Sequence, residues 1–76
     1  MITLDEAKRI MKELHPEDSV VRVCETPDMY VLGLSNDDEG YDTIHKLTGE
    51  IGFIWYWEFA DLYDSGWICD LRPSIE

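Results

Sequence analysis

Four runs of this chain, at about residues 19–25, 29–35, 41–47 and 50–57, read as β-strands, and the gaps between them hold only three, five and two residues. That spacing decides the topology before anything else does. Parallel neighbours need a crossover of roughly a dozen residues or more, whereas antiparallel neighbours can be joined by about two. The runs must therefore lie side by side in chain order, as an antiparallel meander. Val20-Val21-Arg22-Val23-Cys24 is short and β-branched, the composition that suits a pleated surface. Thr26-Pro27-Asp28 is the turn to the second strand, and the polar residues 35–40 form the loop to the third. Thr48-Gly49 makes a tight turn, with Gly49 supplying positive φ.

Ahead of the strands the period changes from two to 3.6. Thr3 and Glu6 have the spacing of a capping box, and Ile2 and Ala7 that of a weak hydrophobic staple. Leu4, Ala7, Ile10, Met11 and Leu14 then form one apolar stripe. Asp5 and Glu6 favour the positive end of a helix. His15-Pro16 stops it, because the residue before proline is pushed out of the α region. The spacing predicts a helix over about residues 4–15. A second, short helix is expected over about 58–64, where Phe59, Leu62 and Tyr63 share a face and Ser65-Gly66 follows. Trp67-Ile68-Cys69 fits a fifth short strand or a packed extension, and residues 70–76 are expected to fray.

A helix with one apolar stripe must bury it, and the sheet is the available partner. The expected fold is α+β: an N-terminal helix on a four-stranded antiparallel meander, with a short C-terminal helix or extension. Seventy-six residues make one domain, spanning 1–76. A domain of this size buries only about 60% of its unfolded surface.

The order of these elements resembles the PepSY domain and its small bacterial relatives. Glu6-Ala7 at the helix start and Lys46-Leu47-Thr48-Gly49-Glu50-Ile51 at the last hairpin carry the likeness, over about residues 2–54. His45-Lys46 stands where that family has an acid before the turn, and residues 55–76 have no counterpart. The resemblance implies a binding or inhibitory module without catalysis, of the kind found in protease propeptides and envelope proteins. Size and charge also resemble small bacterial immunity proteins and phage-encoded inhibitors.

Catalytic constellations do not emerge. His15 is better explained at a helix end and His45 on a solvated strand face. No Gly-x-Ser-x-Gly is present, and neither cysteine has a basic neighbour in sequence. The chain is therefore expected not to be an enzyme and to need no cofactor. No metal is expected either. The acids of residues 36–40 are consecutive, unlike the alternating ligands of a calcium loop, and two histidines and two cysteines lack zinc spacing. Cys24 and Cys69 suit reduced thiols among apolar neighbours, with a disulfide as the alternative. MITLDEAKRIMKEL is amphipathic with acids in its first turn, so it does not read as a signal peptide, and the expected compartment is the cytoplasm.

Charge and aromatic content say more. The net charge is −11, which excludes direct partners of the same sign, nucleic acid and anionic membranes. Residues 1–36 hold seven acids and four bases, and residues 37–76 hold ten acids and two bases. The bland explanation is solubility. The functional one is steering toward a basic protein. Phe53-Ile54-Trp55-Tyr56-Trp57, taken as a strand, puts Phe53, Trp55 and Trp57 on one face. A single helix covers only one face of a sheet. Either residues 58–69 fold back with Phe59, Leu62, Tyr63 and Trp67, or the aromatic residues face a partner. A homodimer through the aromatic strand is one form of the latter. The candidate partner-binding set is Asp37, Asp38, Glu39, Asp42, Glu50, Trp55, Trp57, Glu58, Asp61 and Asp64.

The expected function is a small acidic inhibitor that neutralises a basic protein. It could be an immunity protein against a nuclease-like toxin, or a phage inhibitor of a nucleic-acid-binding defence complex, such as an anti-CRISPR. The alternative is a PepSY-like peptide- or ligand-binding regulatory module.

Overall fold

The structure is a computed structural model that describes residues 1–36 and 38–71. Its elements are α1 (Leu4–Leu14), β1 (Val20–Glu25), β2 (Met29–Leu34), β3 (Gly40–His45), β4 (Ile51–Trp55), α2 (Tyr56–Asp64) and β5 (Cys69–Asp70). The fold is α+β. All neighbouring strands are antiparallel, in the order β4-β3-β2-β1-β5. The meander follows from the short gaps, and β5 adds a fifth strand to the four expected.

α1 starts as its sequence dictates. Glu6 N–H donates to Thr3 Oγ1 at 3.2 Å, and Thr3 N–H donates to Glu6 Oε1 at 2.8 Å. That bond to the Thr3 backbone holds the Glu6 carboxyl below its ordinary value. The stripe buries Ala7 and Met11 completely, whereas Leu14, at the last turn, stays exposed. Ala7 and Met11 pack with Val23, Tyr30, Leu32, Leu34 and Ile44 on one face of the sheet. The opposite face carries a second core of Cys24, Val31, Ile54, Phe59 and Ile68. The sheet is thus sandwiched between α1 and the 56–69 segment. Burying a side chain such as Leu32 contributes about 1.5–3 kcal/mol.

Beyond shifts of a single residue, the structure departs from the sequence reading at the end of β3, at the β4–α2 junction and at Asp70. β3 ends at His45 and not at residue 47, because its side chain is drawn into the turn. His45 Nδ1 accepts from Leu47 N–H and Thr48 N–H at 3.2 and 3.4 Å, and Gly49, at φ 75°, donates to the His45 carbonyl. β4 ends at Trp55, and α2 begins at Tyr56 rather than residue 58. Glu58 reaches back so that Trp55 N–H donates to its Oε1 at 3.0 Å, the reciprocal half of a capping box. Tyr56 N–H donates to the Glu39 carbonyl at 2.9 Å. Tyr56 and Trp57 are therefore helical, and Trp57 leaves the strand face shared by Phe53 and Trp55. Asp70, read as the start of a fraying tail, is paired with Cys24 in β5, and Leu71 N–H donates to the Val23 carbonyl. The rest of that tail, 72–76, lies outside the described residues.

Candidate functional site

β4 sets one side of the site. Its register pairs Ile44 with Ile51, Asp42 with Phe53 and Gly40 with Trp55, so Ile51, Phe53 and Trp55 share the sheet face on which α1 packs. α1 packs chiefly over β2. The three side chains are consequently 42%, 45% and 44% exposed. The rings of Phe53 and Trp55 meet edge to face at 5.3 Å, a geometry favoured by the aromatic quadrupole. Phe53 lies across Gly40, where an added Cβ would come within 2.7 Å of its Cζ.

α2 sets the other side. Phe59 points into the second core and stacks edge to face on Tyr41 at 4.8 Å, while Tyr56 meets the same Tyr41 ring at 5.0 Å. Helical spacing then puts Trp57, Asp61 and Asp64 on the outer face of α2, with Trp57 65% exposed.

The structure brings part of the expected set together. Glu39 is tied to the start of α2 through its carbonyl, and exposed Asp38 precedes it. Trp55, capped by Glu58, and half-buried Asp42, opposite Phe53, complete that corner. Trp57, Asp61 and Asp64 lie on the far side of the sheet, so the ten residues do not form one continuous face. Glu50 sits just before the opposite end of β4, roughly 17 Å from Trp55 by strand rise. Asp37 lies outside the described residues. Residues 58–69 do fold back, burying Phe59 and Ile68, but they cover the Ile54 face and leave Trp67 and Tyr63 exposed.

A second cluster was invisible in the sequence. Asp70 accepts from Arg22 Nε and Nη2 at 3.2 and 3.1 Å, from Cys24 Sγ at 3.0 Å, and from Tyr63 O–H at 3.0 Å. The Arg22 guanidinium stands 4.8 Å from the Phe59 ring centroid and 5.9 Å from those of Tyr41 and Tyr63. These residues are 46 and 48 positions apart in the chain. Only the pairing of β1 with β5 joins them, so no local pattern could announce the cluster. It latches β5 and α2 onto β1. Burial, helped by the adjacent Asp70 carboxylate, pushes the Cys24 thiol up to about 12, the opposite of what a nucleophile needs.

The same register settles the cysteines. Cys24 pairs with Asp70 and Glu25 with Cys69, so the two thiols project from opposite faces, and both are free. Cys24 is buried and Cys69 exposed. Titration of the native protein with Ellman's reagent is expected to count one fast thiol, and a second only in denaturant. A Cys69→Ser variant should leave no fast-reacting thiol.

The latch also makes a pH prediction. The bonds from Cys24, Tyr63 and Arg22 lower the Asp70 carboxyl from its ordinary value of 3.8. A depressed folded value adds stability above the unfolded value, and that stability is lost as pH falls through the folded one. Urea midpoints measured from pH 6 down past about 3.8 should therefore fall more steeply for the parent than for Asp70→Asn.

A cleft of about 410 Å³ opens beside the β1–β2 turn, walled by Pro27 and Trp67 with Lys46 at its side. Lys46 is already engaged, donating to Glu25 Oε1 at 2.9 Å and lying 5.0 Å from the Tyr30 ring centroid. Among the described residues, no three histidine, cysteine or acidic side chains gather where they could hold a metal ion. Among the same residues, no helix is long and apolar enough to cross a membrane. Compared with protein-family models, with curated proteins and with solved structures, the chain matches none.

Proposed function

We propose that this chain is a non-enzymatic binding protein that docks onto a basic protein and inhibits it by covering its working surface. The observation that carries this reading is the row of Ile51, Phe53 and Trp55, left uncovered and bordered by acids. From Leu47 to Leu71 the chain has five acids and no base. Opposed fields raise encounter rates by about 10–10³-fold, and a buried aromatic core lengthens the complex's lifetime. A surface that binds nucleic acid has the sign such a field selects. Inhibition of a nuclease-like toxin and inhibition of a nucleic-acid-binding defence complex are two forms of the same mechanism.

The test separates the two contributions. Proteins captured from the host at low salt and at about 0.5 M salt, where the Debye length shrinks to a few ångströms, are identified, and the recovered partner is purified. Neutralising Asp38, Glu39, Asp61 and Asp64 as amides is expected to slow association with that partner about tenfold and to leave dissociation nearly unchanged. Trp55→Ala should do the reverse. A partner without a basic surface, or binding indifferent to salt, would overturn the reading.

A further inference from the structure

The two edges of the sheet are treated differently. The β1 edge carries an irregularity at Val20/Arg22 and is covered by β5 and Leu71. These are common devices that keep an edge from recruiting another strand. The β4 edge has none of them. Ile51-Gly52-Phe53-Ile54-Trp55 contains no charge and no proline, and nothing among the described residues pairs along it.

The phase of its backbone follows from two bonds. His45 N–H donates to the Glu50 carbonyl at one end of the β3–β4 ladder, and Tyr56 N–H donates to the Glu39 carbonyl at the other. Hydrogen-bonded pairs alternate in an antiparallel ladder. Thr43/Gly52 and Tyr41/Ile54 therefore bond across to each other, while Ile51 and Phe53 turn their N–H and C=O groups outward. Trp55 also faces outward, but its N–H is held by Glu58. The free edge thus presents two residues' worth of backbone donors and acceptors, directly beneath the exposed side chains of the same residues.

We propose that the basic partner is bound by strand addition: an extended, cationic segment of it pairs with Ile51 and Phe53 as a sixth strand of the sheet. This rests on the docking reading above and specifies its mode. Main-chain bonds to the edge would supply affinity, and alternate apolar side chains of the guest would lie over the Ile51, Phe53 and Trp55 row. Exposed acids stand at both ends of β4, Glu50 at one and Asp38 and Glu39 at the other. A cationic guest fits between them, whereas a second copy of this chain would bring another −11 charge to the same edge.

The probe is a short peptide of alternating lysine and valine, followed by amide-resolved NMR titration and hydrogen exchange on the intact chain. Binding is expected to slow exchange at Ile51 and Phe53 by at least about tenfold. Two further peptides carry backbone N-methyl groups, one on every valine and one on every lysine. In an added strand only one of these sets points its N–H at β4. A loss of about tenfold or more in affinity, confined to one set, is therefore expected from the missing bonds. Affinity unchanged by either methylation, or lowered alike by both, overturns strand addition. So does failure of the lysine peptide to bind, or a dimer in sedimentation with Ile51 and Phe53 protected before peptide is added. The docking reading fails separately, if a glutamate–valine peptide binds as well as the lysine one. Methylation-indifferent binding of the lysine peptide alone leaves docking standing and removes the strand. Ile51→Pro, which deletes an outward N–H and spares the β3 ladder, should weaken the unmethylated peptide about tenfold.

Discussion

Gly40→Ala is expected to lower stability by about 3 kcal/mol, and a urea titration followed by tryptophan fluorescence will measure it. Gly40 opens β3 opposite Trp55. A methyl group there would collide with the main-chain carbonyl of Ile54 and come within 2.7 Å of Phe53 Cζ. The ring could swing away, but the carbonyl belongs to the neighbouring strand. Relieving the clash means moving β4 off β3, and with it the second core. Small domains have total stabilities near the low end of about 5–15 kcal/mol, so this loss would remove more than half of the stability and leave about 2 kcal/mol, with a few per cent of the population unfolded. Removing the ring as well, in Gly40→Ala/Phe53→Ala, should not rescue it, because the carbonyl remains. Gly52→Ala is the contrasting variant. Its Cβ meets only the Thr43 Oγ1, at 2.8 Å, a side-chain atom that a turn about χ1 moves without displacing the neighbouring strand.

Phe59→Ala should cost about 3–5 kcal/mol. Among the described residues, Phe59 is the one aromatic buried in the second core, where it packs with Cys24, Val31, Ile54 and Ile68. It also supports the latch. Its ring is the nearest to the Arg22 guanidinium and stacks on Tyr63 at 5.8 Å. Deleting it opens a cavity under α2 and removes the surface on which Arg22 rests, so the Arg22–Asp70 contact should loosen with it. Hydrogen exchange is expected to show α2 and β5 opening together, ahead of β1–β3. Phe59→Leu retains most of the volume and should lose only about 1–1.5 kcal/mol. Equal losses for the two variants would mean that the ring's stacking, and not its bulk, holds α2 down.

The parts of the fold that were legible in the sequence are those fixed by neighbours in the chain. Thr3, Glu6 and the His15-Pro16 pair delimit α1 to within a residue, because caps and proline act locally. The meander came from gap lengths alone. Phe53 to Trp57 misled, because strong β-formers continue past Trp55 while the backbone has already turned helical. What stops the strand there is Glu58 capping the helix at Trp55 N–H, while Tyr56 N–H makes the last bond of the β3–β4 ladder, to the Glu39 carbonyl, and that bond joins separate elements. The period changed from two to 3.6 in the middle of the aromatic run, which split Trp55 from Trp57 and divided the expected patch. The PepSY likeness expected from the sequence covers only about residues 2–54 and ends within β4, so α2, β5 and Asp70, the far end of the latch to Arg22, fall outside it. Asp70 was counted among the acids of the C-terminal half, yet it is bound to Arg22, Cys24 and Tyr63.

Strand β4 passes into helix α2 with no residue between them, since Trp55 ends one and Tyr56 begins the other. A junction without slack transmits torque. Anything that twists the rim of the sheet must rotate the helix behind it, carrying the indole of Trp57 through a different solvent environment. Emission from Trp57 is therefore expected to report occupancy of an edge that Trp57 itself does not touch, once Trp55, which lines that edge, and Trp67 are replaced by phenylalanine.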